Sequence, residues 1–553
     1  MTTQINFKTF LWLILSFVGF FLLFNLGNYL LVNWDEAMYG EVARQMYLSG
    51  DFLQLRLNDQ NYAEKPVLLF IFIQFFYEVF GVSEFSARFT TSLFAFFTFT
   101  ALYIIGKQLR SREFGLIWAC AYLFCLTNTI IAHSLIHDTT FNFFILMGVY
   151  SLYRFNGELL TDDIKAQWKW LTIASISMGV GVLVKGPLAG FLPIFSYGVF
   201  LLIQRKPLFS LKQFVFCGAL SLSIALSWYG LNLYLKGGHF LERFVEFQGD
   251  LFSKSLQGHT GPFYYHVVAI FIGFMPWTVF LFTKDFKEVF RKSHPQFPLS
   301  VMVITWAVVI VTVMSMVKTK LPHYTSSTYI ALGFFAALFA EKHFSAIVNL
   351  SKLKSFLIWL GFNLTGILLI ITGFALGFLI DELNISVEGF HQAQYIITGV
   401  AYMMIMSLTY VFLRKRQFRR FILGVGLAAL TTWFALSQYL FPTVLNTVQK
   451  PLYDDVVELQ GEDTVFVFYR TIHFGPFFYN HQKFHMFEHH FLSDGVDEKF
   501  LRENHCKKVV LVTNNLQSTA DEIRLNFPAY EQTVNELDYQ IFIKQKNPDQ
   551  CQP

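Results

Sequence analysis

Apolar runs of about 20 residues recur along most of the chain, and they limit its fold more than any other feature. A helix needs about 20 apolar residues to cross the hydrocarbon core of a bilayer. The chain of 553 residues is 54% hydrophobic and only 14% charged, which excludes an ordinary soluble globular protein. We therefore predict a polytopic α-helical membrane protein with about 13 transmembrane helices, near residues 10–32, 84–106, 114–132, 138–154, 168–184, 186–204, 212–235, 263–283, 298–317, 321–340, 355–380, 394–413 and 420–441.

The basic residues between these runs predict the orientation of the chain. If Lys8 is cytoplasmic, basic loops such as 107–113 and 413–420 fall on the same side, as the positive-inside rule requires. The loop 33–83 then lies on the opposite side. It contains a short amphipathic segment after residue 35 and a shorter apolar run at 67–81, so we expect it to carry interfacial or re-entrant helices.

The composition changes after residue 441, where apolar runs become too short to cross a membrane. An odd number of spans places this part on the non-cytoplasmic side. Strand-like runs alternate with a helix-like segment, which predicts an α/β domain at 442–553 behind a transmembrane domain at 1–441. The strand-like runs are 464–470, 507–515 and 539–544, and the helix-like segment is 518–527.

Charge and cysteine content exclude several classes of function. The net charge of +4 is small and its basic residues lie in short loops, so no nucleic-acid-binding face is expected. Five cysteines give neither a disulfide framework nor a zinc spacing. Cys506 and Cys551 can pair only if both lie outside the cytoplasm.

An acidic pair, Asp35-Glu36, follows the first apolar run directly. Carboxylates at a membrane surface are either solvated flanks of a span or working groups of a site that acts on membrane-bound substrates. In the second case one of them would take a proton from an acceptor hydroxyl as general base. Asp138 opens a later span on the same face, where it is either a helix cap or a group that orients substrate.

Several basic residues on the predicted outer face suit a phosphate. Lys65 lies in the sequence Glu64-Lys65-Pro66, and Lys185 lies at a tight turn between two spans. Lysine is a compact cation that binds phosphate as a point charge, although a lysine at a span end also reaches lipid headgroups without further function. The remaining candidates are Arg243 in the loop 239–266, and Lys320 and Tyr324 in the loop that follows the span at 298–317.

One pair of residues suggests a divalent metal. Glu64 and His259 offer a carboxylate and an imidazole, which suit zinc or manganese. Magnesium is an alternative, and a site without metal remains open.

Taken in this order, the stretches resemble the GT-C membrane glycosyltransferases. The resemblance is closest to the branch that holds the protein O-mannosyltransferases and the lipid A aminoarabinose transferase, and it covers about residues 10–340. That branch is marked by an acidic pair after the first span, by SGD and by YxEKP. These motifs read here Asp35-Glu36, Ser49-Gly50-Asp51 and Tyr62-Ala63-Glu64-Lys65-Pro66.

The resemblance implies an inverting transfer of a monosaccharide from a polyprenyl-phosphate donor to a lipid (lipid A-like), protein or glycan acceptor. It implies a monomeric multi-pass enzyme of a bacterial inner membrane, with its active site and C-terminal domain in the periplasm and no need for a nucleotide. The divalent metal would lie between Glu64 and His259. The catalytic residues would be Asp35, Glu36 and Asp138, and those that bind the donor phosphate Lys65, Arg44, Lys185, Arg243, Lys320 and Tyr324.

One departure limits the resemblance. The aminoarabinose branch typically has Arg where this chain has Met38, so the same sugar is not assumed. The alternative function is a flippase or transporter of polyprenyl-linked sugars. A transporter of that kind typically shows repeated halves and ionisable groups near the bilayer midplane, and the sequence shows neither pattern.

Overall fold

The protein is described by a computed structural model. It covers residues 6–159, 161, 163–205, 210–254, 259–282, 285–345, 350–383, 387, 389–487, 496–504 and 506–547. Within these residues, the regular elements up to residue 459 are helices apart from one short hairpin, and a mixed sheet follows.

The helical part begins with a membrane helix and two helices of the first outer loop, and continues through consecutive antiparallel helices. Its helices are α1 (Phe7–Leu23), α2 (Asp35–Ser49), α3 (Leu68–Phe80), α4 (Glu84–Leu109), α5 (Arg112–Leu123), α6 (Leu126–Ile131), α7 (His137–Glu158), α8 (Ile164–Lys185), α9 (Leu188–Gln204), α10 (Leu211–Lys236), α11 (His239–Ser253), α12 (Tyr265–Gly273), α13 (Asp285–Val289), α14 (Phe297–Met316), α15 (Thr328–Ser345), α16 (Lys352–Glu382), α17 (Gln392–Arg414), α18 (Phe418–Ala435), α19 (Phe441–Val448) and α20 (Lys450–Leu459).

Each predicted span coincides with a helix or with two consecutive helical segments, so the chain is a multi-pass α-helical membrane protein. Among the described residues, six helical stretches are both long enough and apolar enough to cross a bilayer by themselves. The helices α1, α3 and α9 are apolar but shorter. Others, such as α7, contain polar residues that face neighbouring helices inside the protein.

Two ends of predicted spans differ in the structure. The first span was expected to reach residue 32, but α1 ends at Leu23 and residues 24–34 form a loop. Carbonyl groups of this loop bind a buried arginine, which explains why the apolar sequence is not helical there. At the other end, helical segments follow one another from Phe418 to Leu459 with one turn residue, Gln449, between α19 and α20, so residue 441 lies within helical structure.

The C-terminal sheet has five strands in the order β4-β3-β5-β7-β6. Strand β3 is parallel to β4 and β5, whereas β7 is antiparallel to β5 and β6. The predicted strands and helix are confirmed, and β4 and β6 were not predicted. The bounds are β3 (Thr464–Tyr469), α21 (Gly475–Tyr479), β4 (Phe484–Met486), α22 (Glu498–Glu503), β5 (Lys508–Asn514), α23 (Gln517–Asn526), β6 (Glu531–Asn535) and β7 (Tyr539–Lys544). Cys506 is disulfide-bonded, and Cys551 lies outside the described residues.

The first outer loop folds between the membrane helices and the C-terminal sheet. Helix α2 buries the predicted apolar face with Met38, Val42 and Met46. It also buries Glu36 and Gly40, which the amphipathic pattern places on another face, because Arg88 and Phe478 cover them. A two-stranded hairpin of β1 (Arg56–Leu57) and β2 (Gln60–Asn61) turns at Asn58-Asp59, both with positive φ, as a tight hairpin turn requires. One apolar cluster joins α2, α3 and the strands β3, β5 and β7.

A buried ion pair fixes the start of this loop. Arg88 of α4 is fully buried and binds Glu36 in a bidentate manner: its Nε donates to Oε1 at 2.9 Å and its Nη2 to Oε2 at 2.7 Å. The remaining Arg88 donors bind the carbonyl oxygens of Leu26, Tyr29 and Leu30. Its guanidinium also stacks on the Tyr29 ring at 3.9 Å.

Glu36, the acidic partner of this ion pair, binds two further segments of backbone. The Glu36 carboxylate accepts hydrogen bonds from the backbone N–H of Val32 at 2.9 Å and of Leu135 at 2.6 Å. Leu135 lies just before α7. The pair therefore ties α2, the loop 24–34, α4 and the start of α7 to one another, with its charges fully hydrogen-bonded, as burial demands.

We predict that Arg88→Met destabilises the protein by about 3–5 kcal/mol, because it leaves the Glu36 carboxylate buried without a cation. The measurement is the thermal unfolding midpoint in detergent. Arg502→Met is the matched control, since Arg502 forms an exposed ion pair with Glu498 and such pairs contribute less than about 1 kcal/mol. Equal shifts of the midpoint in the two variants would contradict the anchoring role.

Candidate functional site

A large cavity opens where the first outer loop meets the ends of the membrane helices. Its volume is about 230 Å³. Its lining combines acidic, basic and apolar side chains. The polar or charged lining residues are Asp35, Tyr39, Lys65, His137, Asp138, Lys185, Gln248, His323 and Tyr324, and the apolar ones include Leu188, Leu251, Phe252, Val313, Met314 and Val317.

Asp35 is the first residue of α2 and faces this cavity, whereas Glu36 faces Arg88 on another side of the same helix. Neighbouring helix residues point in directions about 100° apart, which separates the two carboxylates. Asp35 is half-buried. Tyr39 lies one turn further along the helix, where burial and the nearby Asp35 charge raise the pKa of its hydroxyl.

Asp138 and Lys185 form an ion pair in the wall of the cavity. Asp138 lies in the first turn of α7 and Lys185 is the last residue of α8. Lys185 Nζ donates to Asp138 Oδ1 at 2.6 Å, and both side chains are largely buried. Lys185 also lies 5.3 Å from the centre of the Tyr324 ring, and His323 Nε2 lies 3.9 Å from Asp138 Oδ2.

Lys65 is the second lysine of the cavity and differs from Lys185 in its partners. Among the described residues it has no carboxylate within ion-pair distance, and its Nζ lies 4.9 Å from the centre of the Phe247 ring. Burial lowers the pKa of Lys65, an effect that the charges of Glu64 and Asp35 oppose. Lys65 is therefore a partly desolvated cation that an anionic ligand would stabilise.

Glu64 lies beside Lys65 but is not part of the cavity lining. Its backbone carbonyl accepts a hydrogen bond from Gln248 Nε2 at 3.4 Å. Burial raises the pKa of Glu64 to about 7, aided by the Asp35 charge and opposed by Lys65. The carboxyl group is therefore half-ionised near neutral pH.

The structure brings together only part of the predicted site. Asp35, Asp138, Lys65, Lys185 and Tyr324 line the cavity. The other predicted residues lie outside its lining. Glu36 binds Arg88, Arg44 binds Glu41 at 2.6 Å, and Arg243 forms an exposed pair with Glu246 at 3.1 Å.

Lys320 and His259 also have other positions. Lys320 Nζ donates to the carbonyl oxygens of Ser315 at 2.9 Å and Val317 at 2.7 Å, so it caps the end of α14. His259 is exposed, and its backbone carbonyl accepts from the Lys320 N–H at 3.0 Å.

The predicted metal site gains no third ligand from the part of the chain that the structure describes. In those residues, no three His, Cys, Asp or Glu side chains come together as a metal site would need. In the described residues, Glu64 and His259 therefore stay the two candidate ligands of a zinc, manganese or magnesium ion, and no chemical step is assigned to a metal.

Sequence reasoning missed His137, His323 and Gln248 as cavity residues. His137 is buried between the rings of Tyr39 and Phe70, and neither of its ring nitrogens has a hydrogen-bond partner among the described residues. His323 lies beside the predicted Tyr324 in the sequence, and Gln248 follows the predicted Arg243 by five residues. His137 and His323 could have been predicted from the sequence, because each is the direct neighbour of a predicted residue, Asp138 and Tyr324 respectively.

The sequence is similar to those of several known proteins. The family model described as dolichyl-phosphate-mannose-protein mannosyltransferase matches residues 64–229. An uncharacterized protein of Aquifex aeolicus is 29% identical over 333 residues, 59% of this chain and 72% of that protein. The undecaprenyl phosphate-alpha-4-amino-4-deoxy-L-arabinose arabinosyl transferase of Photorhabdus laumondii is 26% identical over 57% of this chain and 56% of its own length. The chain thus matches little more than half of that curated transferase.

The fold is similar over the whole chain to that of a solved structure. ArnT from Cupriavidus metallidurans, bound to undecaprenyl phosphate, superposes with a TM-score of 0.77 at 16% identity, covering 99% of this chain and 100% of that one. The expected resemblance is confirmed: the chain has the GT-C fold, and its sequence is similar to that of the glycosyltransferase branch of ArnT and the protein O-mannosyltransferases.

Proposed function

We propose that the protein is an inverting glycosyltransferase that moves a monosaccharide from a polyprenyl-phosphate donor to a lipid (lipid A-like), protein or glycan acceptor. The observation that carries this proposal is the composition of the cavity. Two carboxylates and two lysines share it with apolar side chains, and of the carboxylates Asp138 is paired with Lys185 whereas Asp35 is not. An amphiphilic donor with an anionic phosphate and a hydrocarbon tail needs these same surfaces.

Lys65 is the proposed main contact of the donor phosphate. Its lack of an ion-pair partner in the described residues leaves its charge available. Lys185 is held by Asp138 at 2.6 Å and its position is therefore fixed before the donor arrives. Preorganised cations of this kind stabilise the charge that develops on a leaving phosphate.

The apolar wall is the proposed site of the prenyl units next to the phosphate. It is formed by α9, α11 and the last turn of α14, through side chains such as Leu188, Phe252 and Met314. Contact between the prenyl units and this wall orients the donor. The wall supplies no charge to the reaction.

Asp35 is the proposed general base. The acceptor oxygen forms a bond with the anomeric carbon while the bond from that carbon to the phosphate oxygen breaks. Asp35 takes the acceptor proton, and the polyprenyl phosphate leaves with the electron pair. Attack opposite to the leaving group inverts the configuration. Asp138 acts indirectly, since it holds Lys185 and lies near His323.

The proposed site lies on the non-cytoplasmic face, which is the periplasmic face in a bacterial inner membrane. The distribution of basic loops supports this orientation. Similarity to the undecaprenyl phosphate-alpha-4-amino-4-deoxy-L-arabinose arabinosyl transferases and to ArnT bound to undecaprenyl phosphate supports a polyprenyl-phosphate donor. Met38 is buried and lies outside the cavity lining, so the position that carries Arg in the aminoarabinose branch supplies no cation here.

We predict that Asp35→Asn lowers the turnover number at least about 100-fold, because an amide cannot accept the proton. Donor affinity should be unchanged. Lys65→Ala should weaken donor binding about 10- to 100-fold, as the loss of a charge-assisted hydrogen bond implies. The measurements are transfer of a radiolabelled monosaccharide from its polyprenyl phosphate in proteoliposomes, and donor binding to the same variants.

Asp59→Asn and Lys254→Ala are the matched controls, because both side chains are about two-thirds exposed and form surface ion pairs. Both should retain full activity. Full activity of Asp35→Asn and Lys65→Ala would place the reaction elsewhere. Movement of the labelled donor across the membrane without transfer to an acceptor would instead support a flippase.

We predict that donor affinity falls as the pH rises from 6 to 8, and that Glu64→Gln removes this dependence. With its pKa raised to about 7, Glu64 is mostly neutral at pH 6 and mostly ionised at pH 8. The ionised form competes for Lys65 and repels the phosphate. The sugar-phosphate diester keeps one charge throughout this range, so the donor itself adds no titration. The same pH dependence in Glu64→Gln would assign it to another group.

A further inference from the structure

The backbone is strained at the residue directly before Asp35. Trp34 has φ 75° and ψ −119°, a conformation that bulky L-residues rarely adopt. Backbone strain of this kind persists only where the surroundings enforce it. Trp34 is also the N-cap residue of α2, so its conformation sets the first helical turn and the direction of Asp35.

The C-terminal part of the chain supplies the contacts that enforce this conformation. Gln449 Oε1 accepts a hydrogen bond from the Asn33 N–H at 3.1 Å, and Asn33 Oδ1 accepts one from the Phe474 N–H at 2.7 Å. Asn33 Nδ2 lies 3.4 Å from His473 Nδ1. The Trp34 ring packs edge-on against the Phe474 ring at 4.9 Å.

The same part of the chain also holds both sides of this turn. The Tyr479 hydroxyl accepts a hydrogen bond from the Leu31 N–H at 2.7 Å and donates to Glu84 Oε1 at 3.0 Å. Further along α2, Gly40 packs so closely that an added Cβ would lie 3.3 Å from the Phe478 ring. Backbone before and after Trp34 is therefore fixed by α21 and its neighbours.

We propose that the C-terminal domain is a positioning element for the base: by holding Asn33 and Trp34, it keeps the first turn of α2 in the conformation that directs Asp35 into the cavity. This inference rests on the proposed function. Without these contacts Trp34 would relax to a negative φ, and the first turn of α2 would lose its fixed direction. The lysines of the cavity lie on other elements and would keep their positions.

The test compares two asparagines that both bind the C-terminal domain. Asn33→Ala removes the side-chain contacts beside Asp35. Asn58→Ala removes two hydrogen bonds with the backbone of Phe484, at 2.7 and 3.2 Å, on the hairpin of the outer loop. We expect Asn33→Ala to lower the turnover number about 10- to 100-fold, as a small misplacement of a catalytic group does, with unchanged donor affinity. Asn58→Ala should keep the wild-type turnover number.

Equal losses in the two variants, in proportion to their stability, would overturn the proposal, as would full activity of Asn33→Ala. Hydrogen exchange of the intact protein gives a readout that is independent of transfer. The amides of Ala37 and Met38 bind the carbonyl oxygens of Val32 and Trp34, and they should exchange faster in Asn33→Ala but not in Asn58→Ala. If the wild type transfers no sugar, the proposed function fails, and this exchange still decides the positioning role.

A second pair of variants tests the strain itself, and it remains informative if Asn33→Ala does not fold. Trp34→Gly and Trp34→Ala both lose the ring contact with Phe474, but glycine adopts φ 75°, ψ −119° as readily as its mirror image. We expect the glycine variant to unfold about 1–3 °C above the alanine variant. An alanine variant that is equally or more stable would show that the contacts do not enforce strain.

Discussion

The buried ion pair of Glu36 and Arg88 is the interaction that holds the segments around the cavity in place. Its charges are satisfied by backbone groups from the loop 24–34 and from Leu135, so a single ion pair joins segments that are distant in the sequence. A charge removed from water is stable only with such complete hydrogen bonding. The result is a rigid border to the cavity, next to which Asp35 remains free to face a ligand.

The membrane part of the fold was predictable because hydrophobic length is a local property of the sequence. The ends of the elements were less predictable: α1 stops at Leu23 although the apolar sequence continues, since Arg88 from another helix binds the carbonyl oxygens that follow. In the C-terminal domain, β3, β5 and β7 are central and apolar, and their sequences show it. Strands β4 and β6 lie at the edges of the sheet, where shorter and more polar sequences carry a weaker signal.

The candidate site was predictable as a set of residue types on one face, but not as a set of contacts. The sequence does not distinguish Asp35 from Glu36, because the difference arises from the direction in which each side chain leaves α2. Nor does it distinguish Lys65, which lacks an ion-pair partner in the described residues, from Lys185, which binds Asp138. Arg44 and Lys320 have suitable charges, yet Glu41 and the end of α14 bind them. Tertiary structure decides which charges remain available.

The contacts of Asn33 have a consequence for the biogenesis of the protein. Its hydrogen bond with Phe474 joins positions 441 residues apart, so the segment around Asn33 reaches its final structure only when the C-terminal domain has been synthesised and has folded. Ribosomes complete the membrane helices before that time. A nascent or truncated chain would therefore have the membrane helices and both lysines of the cavity while its carboxylate is still unplaced. Folding of the C-terminal domain would thus be the event that makes the site competent.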